Sequence, residues 1–115
     1  MARQKAATDD EVITRGTGNL FADLGYADAD ERQTKLRLAH AINTVVANKR
    51  LTQASTAAKL GVNQPKVSAL ANYKLDGFSV ERLMTFLTAL DQDVEIVIKK
   101  KARSRGTGRI SVVAA

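Results

Sequence analysis

The stretch LTQASTAAKLGVNQPKVSALANYKL, residues 51–75, decides how this chain is read. It holds Pro65, the only proline among 115 residues, inside what otherwise looks like a helix. Thr52 is a good N-cap, and QASTAAKL (53–60) forms a short helix that Gly61 ends in the left-handed conformation glycine adopts cheaply. A second helix begins three residues later. Val67, Leu70 and Ala71 share its inward side at i, i+3 and i+4, whereas Gln64, Pro65, Ser68 and Asn72 point the other way. The first N–H groups of a helix have no partner within it, so proline in the first turn forfeits no hydrogen bond, and its fixed φ already suits the helix. Either Asn63 or Gln64 supplies the cap; Pro65 disfavours the helical region at Gln64, which leaves both open. The outcome is a short helix, started sharply, whose first turn presents short polar side chains outward.

Charge concentrates around the same window. The formal net charge is +6, yet residues 1–98 balance twelve Lys and Arg against twelve Asp and Glu, while residues 99–115 hold six basic residues and no acidic one. Within the balanced part, Lys49, Arg50, Lys59, Lys66 and Lys74 fall between Lys49 and Leu75 with no carboxylate among them. Basic segments attract polyanions by Coulomb forces and by counterion release, so nucleic acid is the first partner to consider and an anionic membrane surface the second. The major groove of double-stranded DNA accepts one helix. The side chains that reach base edges come mainly from that helix's N-terminal half, where free N–H groups also favour phosphate.

The rest of the chain frames this unit. With 44% apolar residues there is room for one core. The absence of cysteine rules out disulfides and thiolate chemistry, no apolar run approaches the roughly 18 to 20 residues of a membrane span, and MARQKAATDDEV (1–12) lacks the apolar stretch of a secretory signal, so a cytoplasmic protein is expected. Residues 1–18 read as a flexible arm and NLFADLGY (19–26) as a docked turn of helix. Asp28 with Glu31 resembles a capping box opening a long helix, whose stripe Leu38, Ala41, Ile42, Val45 and Val46 runs to about Asn48. After Gly77, Phe78 and Leu83 are spaced as a hydrophobic staple around Ser79, and Val80, Leu83, Met84, Leu87 and Leu90 make a regular amphipathic stripe. The period then changes to two: Val94, Ile96 and Ile98 predict a β-strand, and RISVV (109–113) a second one. A lone hairpin is marginal in water, which points to cover from the helices or from another copy of the chain. The expected organisation is an arm at 1–18, a helical domain at 19–92, and a C-terminal β segment with a basic tail at 93–115. An additional phosphate contact is the expected role of that tail.

The segment from Gln53 to Asn72 resembles the helix-turn-helix of the lambda-repressor and Xre superfamily. Ala57 stands where the helices cross closely, Leu60 is buried, Gly61 makes the turn, Val62 follows it, and Val67 and Leu70 hold the second helix. Thr56 departs from the pattern, standing where the family prefers an aliphatic residue. Together with GNLFADLGYADADE, LTQ, FSVERLMTFLTAL and DVEIVI, the motif looks like the small Xre-type regulators related to HigA-type antitoxins over about residues 18–100. The resemblance implies a mainly α, five-helix-type lambda-repressor-like domain with a short C-terminal β segment. It also implies that Gln53 touches a backbone phosphate and buttresses Gln64, the residue opening the recognition helix. Gln64 is the first choice for base readout, since a glutamine amide both donates to and accepts from adenine in the major groove. Asn63, Lys66, Ser68, Ala69 and Asn72 are further base or phosphate candidates, Pro65 and Ala69 can meet a thymine methyl, and Tyr73 and Lys74 lie within reach of phosphate.

Enzyme chemistry finds little support. His40, the single histidine, has no second histidine or cysteine with which to hold a metal, and reads as a structural residue of the long helix. The carboxylates sit in the N-terminal arm and at helix starts, where capping explains them, and RGTGNL lacks the lysine and strand of a phosphate-binding loop. No cofactor and no metal are expected. Two classes remain: a sequence-specific transcriptional regulator (a repressor) acting as a homodimer on a palindromic operator, or an antitoxin-type interaction module that neutralises a small toxin, with DNA binding secondary.

Overall fold

The computed structural model describes residues 23–114, with side chains from Ala29 onward. The arm expected at 1–18 and residues 19–22 of the apolar segment lie outside the described residues. Four helices follow one another: α1 (Asp23–Asn48), α2 (Gln53–Leu60), α3 (Gln64–Ala71) and α4 (Val80–Ala89). The chain divides into two units, residues 1–33 and 34–115; of the first, the described part is the opening of α1.

Helix α1 is already running at Asp23, so Asp28 and Glu31 lie inside it and do not mark its start, as the expected capping box would. A cap signature starts a helix only where the residues before it stop one. Here the weakest helix former between Asp23 and Asp28 is Gly25, which costs only about 1 kcal/mol relative to alanine.

In the second unit, α1 contributes Leu38, Ala39 and Ile42 to the core, with Ala41, Val45 and Val46 packed partly buried against it. Around them close Leu60 of α2, Leu70 of α3, and Leu83, Phe86 and Leu87 of α4, joined by Leu75, Phe78 and Leu90 from the connecting segments. Phe78 and Leu83 share this cluster on either side of the cap residue Ser79, whose hydroxyl accepts the Arg82 N–H at 3.0 Å. That is the staple expected from the sequence. Phe86, outside the expected stripe, is among the most completely buried side chains and meets Phe78 edge to face at 5.9 Å. Such an aromatic pair adds about 0.5–1.5 kcal/mol beyond the area it buries.

All four helices end alike. Arg50, Gly61, Tyr73 and Asp91 take left-handed φ of 56°, 71°, 59° and 66°. After each, the next N–H reaches five residues back: Leu51 to Val46, Val62 to Ala57, Lys74 to Ala69 and Gln92 to Leu87. This is the Schellman arrangement, which satisfies carbonyls that a helix end otherwise leaves bare.

Beyond Leu90 the expected C-terminal β segment is not formed: among the described residues there is no strand. The alternation of Val94, Ile96 and Ile98 is present in the sequence, but a ladder needs a partner edge, and the 109–113 segment does not supply one within this chain. The fold is therefore mainly α, with four helices among the described residues.

Candidate nucleic-acid interface

The turn between α2 and α3 sets the geometry. Gly61 has φ +71° and nothing within 4 Å of where a Cβ would stand, so glycine is favoured there by backbone conformation and not by crowding. Two residues later Asn63 is the N-cap of α3, its carboxamide oxygen accepting the Lys66 N–H at 3.0 Å. Of the two residues able to cap, the asparagine does so. Gln64 is the first helical residue and Pro65 the second, where its missing N–H is of no consequence. At the start of α2, Thr52 caps in the same way by accepting the Ser55 N–H at 3.0 Å, and Gln53 is the first residue of that helix.

Thr56 is only 1% exposed, and its hydroxyl donates to the Thr52 carbonyl at 2.8 Å. The polar atom is thus satisfied within α2 while the side chain occupies a core position. Ala57, Leu60, Val67 and Leu70 are buried, and the Asn43 side-chain amide of α1 donates to the Leu70 carbonyl at 3.2 Å, tying the end of α3 to the long helix. The sequence held no sign of this tether, because a half-buried asparagine is not marked by any periodicity.

The candidate residues divide in place. Gln53, Asn63, Gln64, Pro65, Lys66, Asn72 and Lys74 are exposed, and Ser68 and Ala69 are half-buried. Asn63, Pro65, Lys66, Ala69 and Lys74 line one shallow groove with Gly77 and Phe78. Gln53, Gln64, Ser68 and Asn72 do not line that groove. Ala69 is covered because the segment after α3 folds back, with the Lys74 N–H donating to the Ala69 carbonyl at 2.9 Å. Ala71, expected on the inward side, is exposed. Phe78 and Gly77 were not candidates from sequence, and only the return of the chain makes them a wall beside α3.

Several side chains are already engaged. The Lys66 ammonium lies 5.0 Å from the centre of the Phe78 ring, a cation–π contact that holds the charge beside the groove. The Asn72 amide donates to the Ser68 carbonyl at 2.9 Å, turning back on its own helix. His40 is exposed, with Nδ1 3.3 Å from the Tyr73 hydroxyl, so it links α1 to the turn after α3. Among the described residues no hydrogen bond joins Gln53 to Gln64, although both open their helices. No helix among the described residues is long and apolar enough to cross a membrane.

A capped helix, a left-handed glycine turn and a second capped helix with its first turn exposed are the parts of a helix-turn-helix. A family model described as a helix-turn-helix domain matches residues 20–99. A solved structure named as an XRE family transcriptional regulator is 75% identical to this chain, covering 76% of it and 99% of its own length, with a TM-score of 0.73. The chain belongs to the Xre family of helix-turn-helix proteins. No curated protein matches it.

Proposed function

We propose that the protein is a transcriptional regulator, a repressor that binds double-stranded DNA sequence-specifically as a homodimer, without catalysis. The observation that carries this reading is the exposed first turn of α3, where Gln64, Pro65 and Lys66 follow the N-cap Asn63 inside a carboxylate-free stretch from Lys49 to Leu75. In this reading Gln64 enters the major groove and reads a base edge. Lys66, Lys74 and Asn63 flank it along the groove beside Phe78 and face phosphate, and Gln53 contacts the backbone from the start of α2. Pro65 and Ala69 offer apolar contact to a thymine methyl. A two-fold dimer places two such helices about 34 Å apart on a palindromic operator.

The test is selection from random duplexes by the full chain at about 0.15 M salt, a concentration at which contacts to phosphate alone are weakened. An enriched inverted repeat with half-sites about ten base pairs apart is the expected result. Retention without enrichment would leave only attraction to phosphate. Co-purification with the product of a neighbouring gene would then favour the antitoxin-type role.

A further inference from the structure

Residues 93–99 read DVEIVIK, and among them Ile96, Val97 and Ile98 are 73%, 70% and 93% exposed. Between residues 93 and 114 the one backbone hydrogen bond among the described residues is the Arg105 N–H donating to the Ala102 carbonyl at 3.2 Å. The segment therefore carries a strand's alternation and a row of apolar side chains while its backbone groups have no ladder partner in the described chain. An edge of this kind is a template for another chain.

The charges say which chain. Laid antiparallel against itself and centred on Ile96, the segment sets Ile96 opposite Ile96 of the second copy and Val94 opposite Ile98. The same register sets Asp93 opposite Lys99. Moving the centre by half a residue or one residue in either direction sets Val94 opposite a lysine, or Ile98 opposite Asp93 or Gln92. One register alone thus keeps all three apolar residues facing apolar residues and an acid facing a base at each end. A segment complementary to its own reverse is what a two-fold interface requires.

We propose that two copies of this chain pair through residues 93–99 as an antiparallel two-stranded ladder whose two-fold axis passes at Ile96. The inference rests on the dimeric regulator reading and specifies its interface. The helical units then flank the ladder, and the exposed apolar row becomes the dimer seam.

The chain has no cysteine, so a single introduced thiol reports on register without interference. The full-length variants I96C and V94C, and a mixture of V94C with I98C, are oxidised and the covalent dimer is measured. I96C should cross-link readily, because its two copies face each other. V94C alone should not, since its copies are four residues apart along the ladder, about 13 Å. The V94C and I98C mixture should form the mixed dimer. In sedimentation, D93K and K99D should each weaken the dimer several-fold, and the double variant D93K/K99D should restore it. Equal cross-linking of I96C and V94C, no rescue in the double variant, or a monomer at all concentrations would each overturn the proposal. If a palindromic site is selected but I96C fails to cross-link, this interface falls and the regulator reading stands. If I96C cross-links and no site is selected, the reverse holds.

Discussion

Gln64 combines exposure, first place in α3 and an amide able to pair with a base edge, whereas Asn63 beside it spends its carboxamide oxygen on the cap. The two should therefore respond differently to alanine. Gln64→Ala is expected to weaken binding to the selected operator by about 1–3 kcal/mol and to random duplex much less, read by titration on both. Asn63→Ala should lower stability by about 1 kcal/mol in denaturant unfolding without DNA present. Thr56 makes a second case. Its hydroxyl shares the Thr52 carbonyl with the Thr56 N–H, which donates at 2.9 Å. Thr56→Val keeps the shape, removes a buried hydroxyl and leaves that carbonyl satisfied, so thermal unfolding should show no loss and a gain of up to about 1 kcal/mol.

At the scale of elements, the four matching helix ends separate conformational strain from steric crowding. Gly61 and Arg50 sit in the same left-handed region, one with no Cβ and the other with a long side chain. A Cβ there costs about 1–2 kcal/mol. Gly61→Ala should thus destabilise by about that amount although it meets no neighbour, while Arg50→Gly should stabilise by about 0.5–1 kcal/mol once glycine's greater unfolded freedom is deducted. Chemical denaturation of both variants checks the pair, and changes of the same sign would show that packing, not φ, governs these turns. The caps at Thr52 and Ser79, the glycine turn and most of the stripe of α4 were legible in the sequence, because each depends on residues within one or two turns. The choice between Asn63 and Gln64 as the cap of α3 stays open in the sequence, and the structure gives it to Asn63. The start of α1 was not legible, since a helix continues through a cap-like pair when nothing before it resists.

For the whole molecule, the basic excess lies after Ile98 while α3 lies in the balanced part of the chain. Replacing Lys100, Lys101, Arg103 and Arg109 by glutamine, with Lys99 kept for the proposed ladder, should flatten the dependence of log K on log salt by about 0.9 for each phosphate no longer neutralised. An unchanged slope from titrations at several salt concentrations would show that the tail does not touch DNA.

The sequence by itself determined the two short helices, their turn, the residues presented on the first turn of α3 and the resemblance to the Xre family, because caps, glycine and periodicity act locally. Only the tertiary structure decided which alanine of α3 is covered, that Lys66 rests on Phe78, that His40 meets Tyr73 and that Asn43 anchors Leu70. Those pairs join residues distant in sequence, and no local pattern encodes where the chain returns. The C-terminal alternation shows the same divide. Periodicity records that residues 94–98 suit a strand, but a strand exists only where a second edge accepts its hydrogen bonds.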